Sequence, residues 1–309
     1  MVNRLIVITG PTASGKTKIA AHLATQLNGE ILSADSRQVY KGMDIGTGKD
    51  LSDYIIDNKQ VPYHLIDIVD AGYKYNLYQF QDDFTKAYLD INNRKSVPIL
   101  CGGSGLYVEA IVNGYKLAHV PANYEFRTRC EQLDFQQLTE ELKQFKKLHN
   151  VTDIDTKQRL IRALEIEVYY HEHPEINIDL PSIDSEIFVI DISRELRRQR
   201  ISDRLHQRLS EGMIEEVKVL LEKGVSAETL IYYGLEYKFI TQFIQGHFTY
   251  NEMVSSLEIA IHQFAKRQMT WFRGMERRGI KLNWINGDLP LDDKIAIIKH
   301  KCGRFIFQE

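Results

Sequence analysis

The chain has 309 residues, of which 43% are hydrophobic and 26% are charged, and its net charge at pH 7 is −3. A chain of this size and composition can bury a large core, and the small net charge excludes nucleic-acid binding through an overall basic field. The three cysteines show neither the spacing of a metal site nor that of a disulfide framework. No apolar run is long enough to cross a membrane, and no signal peptide is recognised. We therefore expect a cytoplasmic protein without a membrane partner.

The first predicted strand, residues 5–8, leads into a segment that fits G-x-x-x-x-G-K-[ST], and a helix follows. Glycines let such a loop turn its backbone N–H groups towards an anion, and the helix dipole adds attraction. Lys16 supplies a cation for the phosphates, and Thr17 is the predicted protein ligand of a Mg²⁺ ion. The predicted diphosphate-binding residues are Gly10, Thr12, Ala13, Ser14, Gly15, Lys16 and Thr17. The loop alone does not separate a kinase, an NTPase and a pyrophosphate-releasing transferase.

A second predicted strand, residues 30–34, stops at Asp35. Ligands of open α/β sheets bind outside the carboxyl ends of the strands, so Asp35 is expected to face the phosphate loop. Its carboxylate could act as a general base, as a magnesium ligand or as a cap on the next turn. In residues 42–49 (GMDIGTGK), the spacing between Gly42 and Gly48 is one residue too long for a second phosphate loop, and Asp50 stands where serine or threonine is needed. A substrate-facing loop remains an open interpretation.

Further strands are predicted at residues 63–68 and 97–101, with an amphipathic helix over residues 77–91 between them. The alternation of strands and helices predicts an α/β fold with a parallel sheet. The strand at 97–101 ends in Gly-Gly-Ser-Gly at residues 102–105. Backbone N–H groups and the Ser104 hydroxyl there could bind an anion or a leaving oxygen, and a plain tight turn is the alternative.

Residues 124–149 are polar and helix-prone, which predicts a small helical insertion. We place the insertion at residues 118–152 and the catalytic core at residues 1–117 and 153–309. A late strand at residues 187–191 is expected to return to the sheet, and a long helix is predicted over residues 251–275.

Three helical stretches concentrate positive charge. They are the helix start at residues 155–165, the arginine-rich segment at residues 194–209, and residues 266–273, which carry Trp271 and Phe272. Positive charge beside aromatic rings suits phosphate contact and base stacking. A solvated helix face over a hydrophobic seam is an equal alternative for each stretch taken alone.

Together, these motifs resemble the bacterial tRNA isopentenyltransferase family. The resemblance rests on six segments in family order, at residues 10–17, 35–49 (DSRQVYKGMDIGTGK), 63–68 (YHLIDI), 102–107 (GGSGLY), 158–165 (QRLIRALE) and 266–273 (KRQMTWFR). It implies a P-loop NTPase-like parallel sheet flanked by helices, with a helical insertion that contacts the tRNA anticodon stem-loop. It also implies transfer of a dimethylallyl group from dimethylallyl diphosphate to N6 of the adenosine 3′ of the anticodon. We further expect a monomer that uses Mg²⁺.

The resemblance also assigns roles to single residues. Asp35 matches the catalytic aspartate that receives the adenine amino proton, Ser104 stands where the family usually has threonine, and Arg127 matches an arginine near the reaction channel. The implied tRNA-binding residues are Asp35, Ser36, Arg37, Gln38, Gln158, Arg159, Arg162, Lys266, Arg267, Trp271 and Arg273. Residues 232–238 (YYGLEYK) depart from the commoner Gly-Tyr-[Lys/Arg] pattern, and the chain lacks the zinc-finger cysteines of eukaryotic relatives, which favours a bacterial-type enzyme.

The predicted chemistry follows from the weakness of the nucleophile, because the lone pair of an adenine amine is delocalised into the ring. Neutralising the diphosphate with Lys16, backbone N–H groups and Mg²⁺ would promote ionisation of the allylic carbon–oxygen bond, while Asp35 takes the proton. The adenine must leave the loop stack to react. The alternatives are a small-molecule kinase, a non-catalytic RNA-binding P-loop protein and an isopentenyltransferase that acts on adenine nucleotides.

Overall fold

The computed structural model describes residues 4–146, 155–176 and 181–306. The strands are β1 (Arg4–Thr9), β2 (Gly29–Ser33), β3 (Tyr40–Lys41), β4 (Ile55–Ile56), β5 (Lys59–Gln60), β6 (Tyr63–His64), β7 (Val69–Asp70), β8 (Val97–Gly102), β9 (Asp184–Asp191) and β10 (Asn283–Asn286). The helices are α1 (Lys16–Leu27), α2 (Leu77–Asn93), α3 (Gly105–Val112), α4 (Tyr124–Glu131), α5 (Phe135–Phe145), α6 (Lys157–Glu172), α7 (Arg194–Ser210), α8 (Met213–Glu222), α9 (Ala227–Tyr233), α10 (Leu235–Ile244), α11 (Tyr250–Arg277) and α12 (Leu291–Ile306). None of the described helices is long and apolar enough to cross a membrane.

A six-stranded parallel sheet with the order β10-β9-β1-β8-β2-β6 forms the centre of the larger unit. The central strand β1 is apolar on both sides, with Leu5 and Val7 packing into one core and Ile6 and Ile8 into the other. Such a strand needs helices on both faces of the sheet, as parallel sheets generally do. The predicted α/β architecture is therefore confirmed.

The carboxyl ends of β1, β8 and β2 lie side by side because the three strands are parallel neighbours. Thr9, at the end of β1, donates its hydroxyl hydrogen bond to the Gly102 carbonyl at the end of β8, at 2.7 Å. This pairing brings the phosphate loop, Asp35 and the Gly-Gly-Ser-Gly turn to one edge of the sheet, where a ligand crevice is expected.

The strand predicted at residues 63–68 is wrong in length. Only Tyr63 and His64 pair with β2, because Leu65 and Asp67 have positive φ angles of 65° and 56°, which end an extended strand. The short strand β10 was not predicted from the sequence either, because it begins and ends with asparagine, a residue with low strand propensity.

The smaller unit runs from Lys116 to Leu180 and contains α4, α5 and α6. Its own core includes Leu138 and Leu142 of α5 and Leu160 and Leu164 of α6. Because α6 packs into this core, it belongs with the insertion, whereas the sequence pattern had placed residues from 153 onwards in the catalytic core. The predicted boundary at residue 152 lies outside the described residues.

Candidate active site

The phosphate loop joins β1 to α1 and has the backbone of an anion cradle. Ala13 and Gly15 have positive φ angles of 62° and 78°, and the Ser14 N–H donates to the Pro11 carbonyl at 3.3 Å. Gly15 is the residue before the first turn of α1, so the N–H groups at the helix start face the loop. The Ser14 hydroxyl is buried without a hydrogen-bond partner among the described residues. A buried orphan hydroxyl in such a cradle suits a phosphate oxygen.

Lys16 is held over this loop, with its ammonium 3.4 Å from the Pro11 carbonyl. Burial lowers the pKa of Lys16, and the nearby guanidinium groups of Arg204 and Arg208 lower it further, while Asp35 acts in the opposite direction. An anion bound in the loop would stabilise the ammonium, because it would supply the counter-charge that the site itself only partly provides.

Two arginines of α7 join Lys16 at the loop. The Arg204 guanidinium donates to the Thr12 hydroxyl, and burial lowers the pKa of Arg204 to about 10. Arg208 is 6% exposed and forms an ion pair with Asp50 at 3.2 Å. Three cations therefore gather at one phosphate loop, which suits a multiply charged anion. From the sequence, both arginines were assigned only to a basic helix, although their spacing of four residues places them on one helix face.

Asp35 lies at the end of β2, opposite the phosphate loop, as predicted. The Arg37 N–H donates to one oxygen of its carboxylate at 2.9 Å, so Asp35 does cap the following turn. The next residue, Ser36, donates its N–H to the Ser104 hydroxyl at 3.1 Å. This hydrogen bond links the Asp35 turn to the turn that precedes α3 and brings Ser104 beside the carboxylate.

The loop at residues 42–49 lines the site and is tied down from two sides. The carboxylate of Glu216, on α8, accepts hydrogen bonds from the N–H groups of Asp44, Ile45 and Gly46 at 2.8, 2.7 and 3.0 Å. Gln38 donates to the Gly48 carbonyl at 3.1 Å. The structure therefore supports the interpretation of a substrate-facing loop.

Two adjacent cavities occupy this edge of the sheet. The reaction cavity, of about 200 Å³, is lined by Thr12, Lys16, Asp35, Ser36, Arg37, Gly46, Thr47, Gly103, Ser104, Arg204, Arg208, Tyr233, Gly234, Leu235, Glu236, Tyr237, Ile261, Phe264 and Gln268. The phosphate cavity, of about 110 Å³, is lined by Thr12, Ala13, Gly15, Lys16, Thr17, Asp35, Gln38, Thr47, Gly48, Asp50, Asp53, Tyr54, Cys101, Gly102 and Arg204. Lys16, Asp35 and Arg204 line both, so an anion and a second reactant would meet at these side chains.

The chemistry of the phosphate cavity is compatible with Mg²⁺. No cluster of three or more histidine, cysteine or carboxylate side chains that could hold a metal ion occurs within residues 4–146, 155–176 and 181–306. Mg²⁺ bound through phosphates needs only one or two protein oxygens, since phosphate oxygens and waters complete its shell. Thr17, Asp35 and Asp53 offer hard oxygen donors in this cavity.

The remaining predicted residues of the larger unit lie on α11. Lys266, Arg267 and Arg273 are exposed, with the Arg267 guanidinium 6.0 Å from the Phe264 ring. Trp271 is only half-exposed, because its ring packs so closely on α3 that a Cβ at Gly105 would lie 2.4 Å from it. Its contact with tRNA stays a prediction.

Four predicted residues lie in the smaller unit. Gln158 is exposed, and Arg159 pairs with Asp155 at 2.6 Å. Arg127 binds the carboxylate of Glu165 with two hydrogen bonds, at 3.0 and 2.7 Å, and Arg162 donates to the same carboxylate. Burial acts to raise the pKa of Glu165, but these hydrogen bonds outweigh it and lower the pKa. The catalytic role of Arg127 stays a prediction.

Sequence reasoning missed several residues that line the reaction cavity. Gln268 and Glu236 contribute polar groups, and burial raises the pKa of the Glu236 carboxyl. Tyr233 and Tyr237 are buried, and the Tyr237 hydroxyl donates to Glu216 at 2.7 Å. For the residues at 233–237, the departure of residues 232–238 from the family pattern was the available signal, because this motif lines the cavity.

A parallel sheet with a phosphate loop and the reaction cavity at its carboxyl edge defines an α/β protein of the P-loop type. Within that class, the chain matches the family model described as IPP transferase over residues 38–275, and the model described as Isopentenyl transferase over residues 3–67. The chain belongs to the IPP transferase family, and the resemblance drawn from its motifs is confirmed.

Individual relatives agree with this assignment. The chain is 55% identical over 301 residues to tRNA dimethylallyltransferase 2 of Bacteroides fragilis, covering 97% of this chain and 98% of that one. It is 58% identical over 293 residues to tRNA dimethylallyltransferase 1 of Parabacteroides distasonis, covering 94% and 95%. The crystal structure of the full-length tRNA isopentenylpyrophosphate transferase from Bacillus halodurans is similar, with a TM-score of 0.71, 32% identity and coverage of 98% and 97%.

Proposed function

We propose that the protein transfers a dimethylallyl group from dimethylallyl diphosphate to N6 of the adenosine 3′ of the anticodon in tRNA, giving N6-isopentenyladenosine and diphosphate. One observation carries the proposal: Lys16, Asp35 and Arg204 line both the phosphate cavity and the reaction cavity. A leaving diphosphate and an incoming nucleophile would therefore share one set of side chains. The relatives named tRNA dimethylallyltransferase support the choice of substrates.

The leaving group is stabilised by the phosphate loop. Lys16, Arg204, Arg208 and the N–H groups at the start of α1 oppose the negative charge that develops on the diphosphate as the carbon–oxygen bond breaks. We propose Thr17 as the protein ligand of Mg²⁺ that is bound together with the diphosphate. The ion supplies further charge neutralisation.

The acceptor reacts in the neighbouring cavity. Leu235, Ile261 and Phe264 provide apolar surface for the dimethylallyl group. The N6 lone pair attacks C1 of that group, the carbon–oxygen electrons leave with the diphosphate, and the excess proton on N6 passes to the Asp35 carboxylate. The Arg37 N–H fixes this carboxylate through one oxygen, which leaves the other for the proton.

The tRNA is held outside the reaction cavity. We propose that the exposed Lys266, Arg267 and Arg273 contact its phosphates, and that the smaller unit contacts the anticodon stem-loop. The target adenine then flips out of its stack into the cavity. The enzyme is proposed to act as a monomer in the cytoplasm.

Transfer of labelled dimethylallyl groups tests this function. Purified protein with Mg²⁺ and labelled dimethylallyl diphosphate should label unmodified tRNAs that carry adenosine 3′ of the anticodon. A tRNA with guanosine at that position is the matched control and should stay unlabelled. Labelling of AMP alone would indicate an adenylate isopentenyltransferase, and phosphorylation of a metabolite by ATP without transfer to tRNA would indicate a kinase.

A further inference from the structure

Gln268 joins the two halves of the site through its side-chain amide. It lies on α11, is 7% exposed and lines the reaction cavity. Its Oε1 accepts a hydrogen bond from the Thr12 N–H in the phosphate loop, and its Nε2 donates one to the Gly103 carbonyl, both at 2.8 Å. One amide thus spans from the loop that binds the leaving group to the turn before α3.

This link continues to the proton acceptor. Gly103 is followed by Ser104, whose hydroxyl accepts the hydrogen bond of the Ser36 N–H at 3.1 Å, and Ser36 directly follows Asp35. The contacts therefore form an unbroken path from the phosphate loop to Asp35, and α11 contributes Gln268 to this path.

The geometry around Gln268 leaves little room for adjustment. A Cβ at position 103 would lie 2.7 Å from Gln268 Nε2 and 3.4 Å from Lys16 Nζ, so a side chain there would displace the Gln268 amide from its present position. One turn further along α11, Trp271 packs against Gly105 in the same way. The helix therefore supports the turn at residues 103–105 at two successive positions.

We propose that Gln268 is a positioning residue that sets the distance between the diphosphate and Asp35, acting through Thr12 and Gly103. The inference rests on the proposed transfer reaction. Transfer needs N6, the allylic carbon and the leaving oxygen in line, and a displacement of about 1 Å at such a site can cost a hundredfold in rate. Removing the link should therefore slow the transfer step more than it weakens the binding of either substrate.

The substitution Gln268→Met tests the proposal, because methionine has a similar shape but forms neither hydrogen bond. With both substrates saturating, we expect the single-turnover transfer rate to fall by about 10- to 100-fold. The dissociation constants for inorganic diphosphate and for tRNA should stay within about threefold, since the charged groups that bind them are retained. Gln263→Met, at an exposed position of the same helix, should behave like the wild type.

A second variant, Gln268→Asn, keeps the amide but is one methylene shorter and reaches only one of the two partners. We expect an intermediate rate, and this variant decides the matter where Gln268→Met does not fold. A wild-type transfer rate in a folded variant would overturn the proposal, as would a rise in either dissociation constant at an unchanged saturating rate. Absence of transfer by the wild type and by Gln263→Met would instead reject the proposed function.

Discussion

Asp35 caps the following turn, which is one of the three roles that the sequence left open, and its position also allows the role of a base. One of its oxygens caps the following turn through the Arg37 N–H at 2.9 Å, and the carboxylate also lines both cavities. A cap and a base make different demands, since a cap needs only an acceptor oxygen and a base needs a group that takes a proton.

The substitution Asp35→Asn separates these two roles. Asparagine retains an acceptor for the Arg37 N–H but cannot take the N6 proton, so we expect turnover to fall by about 10²- to 10⁴-fold while the free energy of unfolding changes by less than about 1 kcal/mol. Single-turnover transfer and thermal unfolding measure the two effects. Near-normal turnover of the folded variant would assign Asp35 to the cap alone.

Lys16 offers a test of the leaving-group site. Lys16→Ala removes a cation from the phosphate cavity, so we expect weaker binding of dimethylallyl diphosphate and slower transfer, with little change in tRNA affinity. Lys86→Ala is the control, because that side chain is 69% exposed on α2, pairs with Asp82 at 2.6 Å and lines neither cavity. Calorimetric titration with diphosphate measures the difference in affinity between the two variants. Equal loss of affinity for diphosphate and for tRNA in Lys16→Ala would point to a folding defect.

At the level of elements, local patterns predicted the phosphate loop and the strands around it, because these features depend on neighbouring residues. The strand at residues 63–68 failed for a non-local reason. Asp67 turns away to form an ion pair with the buried Lys49, which is also bound by Asp44, and no local pattern indicates this partnership. Gln268 was missed for the same reason, since its partner Thr12 is 256 residues away.

Glu30 connects β2 to β6 and to the end of α2, and it should make stability depend on pH. On β2, it accepts from Arg94 at 3.0 and 2.8 Å and contacts His64 of β6 at 2.7 Å. The hydrogen bonds from Arg94 lower the pKa of Glu30 from 4.5 to about 2. Because the folded-state pKa lies below the unfolded value, Glu30 stabilises the protein above pH 4.5, and this contribution is lost as the pH falls towards 2.

The variant Glu30→Gln should therefore have an unfolding temperature a few degrees below that of the wild type at pH 7. The difference in unfolding temperature should become smaller as the pH falls from 4.5 towards 2. Thermal unfolding from pH 7 down to pH 3 gives the comparison. Asp82→Asn, in an exposed pair with Lys86 on α2, is the control and should have little effect at any pH. A gap that is independent of pH would show that packing, not charge, accounts for the lower stability.

For the whole molecule, the net charge of −3 hides an uneven distribution. The exposed residues Lys266, Arg267, Arg273 and Arg277 lie together on α11. Composition alone excluded a general basic field, but only the helical spacing indicated where positive charge gathers. The extent of the smaller unit was not predictable in this way, because α6 joins it through a core that forms only after folding.

Charge reversal tests whether the exposed basic residues of α11 bind tRNA as proposed. Arg267→Glu or Arg273→Glu should weaken tRNA binding and reduce the slope of affinity against salt, by about one unit for each phosphate that the variant no longer binds. Lys299→Glu, on α12, is the control, because α12 and α11 pack into the cores on opposite faces of the sheet. A slope equal to that of the wild type would mean that this face does not bind phosphates.

The three cations at the phosphate loop have a consequence for the fate of the product. Under the proposed function, Lys16, Arg204 and Arg208 would attract the released diphosphate as well as the substrate, because both species carry the negative charge that these cations oppose. We therefore expect diphosphate to compete with fresh substrate and to inhibit the enzyme as it accumulates. Steady turnover would then depend on how quickly diphosphate dissociates and is hydrolysed elsewhere, and the rate of modification would respond to the cell's diphosphate level as well as to its supply of allylic substrate.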